Sequence, residues 1–170
     1  MFEKFGEFDS VEELNRAAAA QKVEGDEEAL LKLAEENGID KEDAEDYIDD
    51  CTDELATPLM AAVGKIKVES EHLKLAGVLI DWKDIIMEMC TEDIKMQRAV
   101  RKKGKTLTGC MAKLMAFAFE NKVQISEEIV KATKINHNGK VEQMRGPVYM
   151  GVPNKREVRQ IARKYYEVEG

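Results

Sequence analysis

Apolar residues recur along this chain at three-and-four spacing far more often than in strict alternation, so the pattern predicts helices almost throughout. Ser10, with Glu13 three residues on, has capping-box spacing ahead of Leu14, Ala17, Ala18 and Gln21, and Gly25 is the expected stop. Asp26 is placed to cap a second helix whose stripe is Leu30, Leu33 and Ala34 and which ends at Asn37 and Gly38. Asp40 is placed to cap a third, with Ala44, Tyr47, Ile48 and Cys51 on one face. After Thr57 and Pro58 the segment LMAAVGKIKVESEHLK is ambiguous in type, and Gly64 reads as a kink or a short loop between helices. Leu75, Val78, Leu79, Trp82, Ile85, Ile86 and Met89 then keep helical spacing for two heptads, which makes Trp82 a core anchor rather than a ligand-stacking ring.

Ile94, Met96, Ala99 and Val100 give a shorter helix running toward Gly104. The most apolar helix follows, capped by Thr106 or Thr108. Leu107, Cys110, Met111, Leu114, Met115 and Ala118 form its stripe, and Phe117 and Phe119 widen the apolar arc. So wide an arc predicts a central helix with neighbours on more than one flank. Ser126, Glu127 and Glu128 open a short helix. The strand signal is Asn138-Gly139 between KATKINH and KVEQM, read as a small hairpin or an ordered loop. Asn154 and Glu157 repeat the capping-box spacing before a last helix with Val158, Ile161, Ala162 and Tyr165 facing inward. The expected fold is mainly α, a compact bundle of about seven to eight helices with a small β-hairpin near the C-terminus. Residues 1–56 form an acidic helical subdomain and 57–170 a helical core with a basic C-terminal part, together one integrated domain.

Composition agrees: 35% of the 170 residues are charged and only 6% aromatic, which favours helix over sheet. Charge changes the picture more. The net charge of -8 divides into -15 over residues 1–60, -2 over 61–95 and +9 over 96–170. Such a dipolar chain points either to nucleic-acid or charged-protein partners, or to halves that neutralise each other in the fold.

At the acidic end, Ala34, Gly38 and Ala44 are spaced like the small residue, turn glycine and buried residue of a helix-turn-helix. The helix in recognition position, however, reads KEDAEDYIDD. Its outward face holds Glu42, Asp43, Glu45, Asp46, Asp49 and Asp50, and phosphates would repel it. These carboxylates are either a solvated surface or a row that substitutes for phosphates in a partner's basic channel. At the basic end stand Arg98, Arg101, Lys102, Lys103 and Lys105, then Arg156, Arg159 and Arg163 with Lys155 and Lys164 on the last helix. Cations at a helix C-terminus offset its dipole, but five exceed that need. The remainder could neutralise phosphates of DNA or RNA, or clamp an acidic partner or the protein's own acidic half.

Catalytic and metal chemistry has no motif. His72, His137 and the cysteines lack the paired short spacing of a zinc site, Gly64-Lys65 and Gly104-Lys105 lack the rest of a P-loop, and no nucleophile elbow is present. No metal, cofactor or enzymatic activity is expected. Cys51, Cys90 and Cys110, odd in number and widely spaced, read as reduced thiols. No apolar run approaches the roughly 20 residues of a membrane span, and the start lacks a secretory pattern, so the expected location is the cytoplasm.

Two segments carry a resemblance. FEKFGEFDSVEELNRAA resembles small proteins carried by integrative elements and phages of gut Firmicutes. KGKTLTGCMAKLMAFAFENKVQISEEIVKA, with KYYEVEG, resembles PcfK-like proteins of conjugative plasmids, a family that includes anti-CRISPR inhibitors of type II effector nucleases. The matching residues are Lys105, Thr106, Leu107 and Cys110, then Glu127, Glu128 and Ile129, and the Tyr165-Tyr166 pair. The long acidic front half departs from that family. The resemblance implies a non-enzymatic inhibitor acting in a bacterial host cell, whose partner is a CRISPR effector nuclease or its guide-RNA complex. The alternative is a nucleic-acid-binding accessory protein of conjugation or replication that uses the basic C-terminal half.

Overall fold

A computed structural model describes residues 4–169, and it is mainly α-helical, with nine helices and two small antiparallel sheets among the described residues. Residues 1–3, of which Phe2 and Glu3 open the first resembling segment, and Gly170 lie outside that range.

Three helices build the N-terminal part: α1 (Val11–Glu24), α2 (Glu27–Glu36) and α3 (Lys41–Ile48). The Ser10 hydroxyl accepts the Glu13 N–H at 3.2 Å, while the Glu13 carboxylate reaches back one residue beyond the cap, to the Asp9 N–H at 2.9 Å. Gly25 ends α1 in the left-handed region, and Asp26 caps α2 by accepting the Ala29 N–H at 2.9 Å. Asp40 precedes α3 without capping it and lies 3.6 Å from the Lys67 amine instead. The stripes converge on one core that includes Leu14, Leu30, Leu33, Ala44 and Tyr47.

The second core lies among α4 (Pro58–Leu73), α5 (Val78–Glu92), α6 (Ile94–Arg101), α7 (Leu107–Glu120) and α9 (Lys155–Tyr166). Trp82 is 2% exposed within it, as its position in the apolar stripe predicts, beside Ile66, Ile86, Met89, Leu114 and Tyr166. Cys90 and Cys110 are buried there as small apolar residues, and burial pushes both thiols up to about 12. One helix joins the two cores: Ala61 of α4 packs in the first, Ala62 and Ile66 in the second.

That helix overturns the expectation at Gly64, since α4 runs unbroken from Pro58 to Leu73. The glycine serves contact rather than a kink. A Cβ at Gly64 would lie 2.3 Å from the Asn37 carbonyl oxygen, and one at Gly38 would lie 2.3 Å from the Gly64 oxygen. The α2–α3 turn therefore lies backbone to backbone on α4, and Gly38 also needs its φ of +68°.

The centre of the bundle is also displaced from expectation. Helix α4 packs on α5, α6 and α7, whereas α7 buries Leu107, Cys110, Met111 and Leu114 and leaves Met115 39% and Phe119 63% exposed. Its neighbours α4, α5 and α9 cover one side of the apolar arc and not the other.

Between α7 and α9 runs an arm with little core of its own. Here β1 (Val123–Gln124) pairs antiparallel with β4 (Tyr149–Met150), flanking α8 (Glu127–Ala132) and the hairpin of β2 (Lys134–His137) and β3 (Lys140–Gln143). The hairpin turns at Asn138 and Gly139, both at positive φ, as the Asn-Gly signal predicts. The Gln143 side-chain amide ties it to α8 by donating to the carbonyls of Val130 and Thr133 at 3.3 and 3.0 Å.

In an exposed helix Gly→Ala gains about 1 kcal/mol. At Gly64 the sign reverses, because the added methyl meets backbone that cannot swing aside. We expect Gly64→Ala to cost about 3 kcal/mol, read as a lowered urea midpoint at unchanged m.

Candidate functional site

Helix α3 turns Ala44 and Tyr47 inward, and that leaves its carboxylates nowhere to go but out. Glu42, Glu45, Asp46, Asp49 and Asp50 are exposed and Asp43 is half-buried. Asp53 and Glu54, which the sequence reading passed over because they follow the helix, are exposed in the next turn and extend the row. Two of the six have cationic partners: Glu45 pairs with Lys41 at 3.0 Å and Asp50 with Lys22 at 2.6 Å. Among the described residues Glu42, Asp43, Asp46 and Asp49 are in no ion pair. At the helical rise, six carboxylates between positions 42 and 50 occupy about 12 Å, close to the charge density of duplex DNA at one per roughly 1.7 Å.

The far end of the row is placed against the electrostatics of its own helix. No base lies in the last turn of α3, Asp49 is its C-cap, and Asp50 follows at a φ of 59°. Carboxylates at the negative end of a helix are destabilising. The α2–α3 pair does place Ala34 and Ala44 in the core with Gly38 left-handed between them, the positions that helix-turn-helix spacing assigns.

The basic candidates separate into two groups. Arg101 is 1% exposed, donates to the Asn37 side-chain oxygen at 2.7 Å and lies over the Phe8 ring, so this cation, read as partner-binding, belongs to the interior. The Lys105 amine is held by the Tyr165 carbonyl at 3.0 Å and by Glu167 at 2.6 Å. On α9, Arg159 pairs with Glu88 and Glu92, Arg163 with Asp93 at 3.0 Å, and Lys155 with Glu88 at 2.7 Å. The Arg159 guanidinium holds the Glu92 carboxyl below its usual value, and the Lys95 N–H, ahead of Arg163, does the same for Asp93. Helix α9 thus clamps α5, and the acids it uses come from positions 88–93 rather than from the acidic front half. Arg98, Lys102, Lys103 and Arg156 stay exposed and outside any ion pair among the described residues.

Sequence reasoning missed a buried polar set that explains where Arg101 goes. Lys65 of α4 is fully buried, and its amine bonds the Glu7 carboxylate at 2.6 Å and the carbonyls of Lys102 and Lys105 at 2.9 and 3.0 Å. Glu69, one turn on and 4% exposed, lies 3.9 Å from that amine and accepts the Leu107 N–H; burial raises its pKa. Glu7 and Asp9 accept the N–H groups of Gly104 and Lys103 at 3.3 and 3.0 Å. The N-terminal strap, α4 and the α6–α7 turn are pinned at one point. A signal exists in the sequence: Lys65 and Glu69 interrupt the stripe of Ala61, Ala62 and Ile66 at i, i+4 spacing, opposite charges on an inward face.

Among the described residues no three His, Cys, Asp or Glu side chains converge as a metal site, and no helix is long and apolar enough to cross a membrane. Comparison with known proteins gives no matching family model, no matching curated protein and no matching solved structure.

Replacing Lys65 by Met removes the cation from half-buried Glu7 and buried Glu69 and should cost about 3–5 kcal/mol. Arg156→Gln, on the exposed side of α9, should change stability by less than about 0.5 kcal/mol. Urea denaturation of the two variants side by side checks the division of the cations into interior and surface groups.

Proposed function

We propose that this protein is a non-enzymatic interaction protein that offers the α3 acidic row to a basic, nucleic-acid-binding surface of a partner protein, where the carboxylates take the place of phosphates. The observation that carries this reading is the set Glu42, Asp43, Asp46 and Asp49: four carboxylates outside any ion pair among the described residues, two of them at the end of a helix that opposes their charge. Glu42 and Asp43 are favourably placed in the first turn of α3, but the cost of Asp46 and Asp49 at its other end is recovered when a cationic partner binds. The resemblance of the Lys103–Ala132 segment to PcfK-like proteins makes a type II CRISPR effector nuclease the partner to test, and the reading is then that of an anti-CRISPR protein in a bacterial host cell.

The nucleic-acid-binding alternative has less support. It needs the cations of α6, the following turn and α9 as one surface, yet Arg101 is interior and Lys105, Arg159 and Arg163 are held by the protein's own carbonyl and carboxylate groups. Arg98, Lys102, Lys103 and Arg156 remain for phosphates.

The test reads two quantities that move in opposite directions. Asp46→Asn with Asp49→Asn should raise folding stability by about 0.3–1 kcal/mol per site, seen in urea denaturation. The same double variant should lose roughly tenfold or more in inhibition of guided DNA cleavage by a type II effector. Undiminished inhibition by that variant, or none by the wild type, would falsify the reading. Salt-sensitive gel shifts with duplex or single-stranded nucleic acid would favour the alternative.

A further inference from the structure

Helix α7 is apolar on two sides and its neighbours cover one. Leu107, Cys110, Met111 and Leu114 face α4, α5 and α9. Around the cylinder from them lie Ala112, Met115, Ala116 and Phe119, all exposed, at the i, i+3, i+4, i+7 spacing of a heptad seam. This second stripe is half of the wide apolar arc visible in the sequence, and the fold of one chain does not use it.

Charge at the edge of the stripe says what fits there. Lys113 and Glu120 are exposed, flank the stripe on the same side, and stand one heptad apart, about 10.5 Å along the axis, too far to pair with each other. Neither is in an ion pair among the described residues. In an antiparallel helix pair, residues on one flank meet the same flank of the other helix, so a second α7 crossing near Ala116 sets each Lys113 opposite a Glu120. A parallel pair would bring Lys113 to the other flank, where buried Met111, half-buried Ala118 and Lys122, which lies over the Phe119 ring, offer it no anion. We propose that a second copy of this chain docks on α7 in the antiparallel sense, related by a twofold axis that passes close to Ala116.

The packing is of the kind helices use. Ala112 and Ala116 allow the axes to approach to about 8 Å, with Met115 and Phe119 as the knobs. Beyond the helix end Val123, Met150 and Val152 are exposed, but the open groove of about 630 Å³ that they line with Phe117 also holds Asn121, Lys122 and Glu157 and none of the stripe residues, so it adds nothing to the contact. The helical contact alone falls short of the roughly 800 Å² per partner of a standard interface, so the dimer is of the weak, micromolar kind.

Sedimentation equilibrium of the full chain, at concentrations from about 10⁻⁶ to 10⁻⁴ M, should show a monomer–dimer equilibrium. Phe119→Glu should hold the protein monomeric throughout, with an unchanged helical circular dichroism spectrum because the side chain is exposed. Lys113→Glu should weaken the dimer by roughly fivefold or more, and adding Glu120→Lys to it should restore the wild-type constant. Three results would each overturn the proposal: a wild type monomeric at the highest concentration, a dimer that survives Phe119→Glu, or a charge swap as weak as the single reversal. These substitutions lie away from the α3 row, so failure here and failure of the acidic-row reading are separate outcomes.

Discussion

An ammonium group in an apolar interior is tolerated only when oxygen surrounds it, and the buried Lys65 amine imposes that demand on two distant parts of the chain. It takes a carboxylate from the N-terminal strap, Glu7, and two carbonyls from the turn after α6, those of Lys102 and Lys105. Meeting the demand fixes the strap, and the strap's acids in turn satisfy N–H groups of that turn. The same helix, one residue earlier, presents Gly64 to Gly38 and so seats the α2–α3 turn. Two adjacent residues of α4 thus set the position of the acidic part on the helical core.

This arrangement decides how the charge of the molecule is distributed. Lys65–Glu7 and Lys67–Asp40 link the front of the chain to α4, but the cations of α9 are neutralised within the C-terminal part, by Glu88, Glu92 and Asp93. The sequence permits the halves to compensate each other. In the fold the cations of α9 are compensated by the middle of the chain, residues 88–93, and the carboxylates of α3 stay on the outside. Attraction to a basic surface then acts over about a Debye length, roughly 8 Å at physiological salt, which is contact recognition rather than long-range steering.

Local structure was legible where one residue type has one physical use. Ser10, Asp26 and Asn154 cap their helices by accepting the backbone N–H three residues on, Thr106 rather than Thr108 caps α7, and Asn138-Gly139 makes its hairpin, while Asp40, read as a cap by the same rule, makes no such bond. Legibility failed where a residue has two uses. Glycine breaks a helix or admits a neighbouring backbone, and only the position of Asn37, far away in sequence, selects the second use at Gly64. A cation ends a helix, meets a partner or fills a polar hole in a core; Arg101 fills the hole because Asn37 is already there. The helical part of the acidic row was readable, since helical spacing puts Ala44 and Tyr47 inward and turns Glu42, Glu45 and Asp46 out, whereas Asp53 and Glu54 follow the helix and no spacing rule places them.

The two surfaces left over after folding differ in kind, and the difference orders their roles. The α7 stripe is small and apolar, with Lys113 and Glu120 on one flank and Lys122 over the Phe119 ring, and the Lys113–Glu120 flank is self-complementary under a twofold axis. The α3 row carries one sign of charge and repels its own image. Repulsion therefore selects against any α7 pairing that would bring two α3 rows together. A dimer of the kind we propose would then present two separate acidic rows, and two chances to engage a basic partner without any change in the row itself.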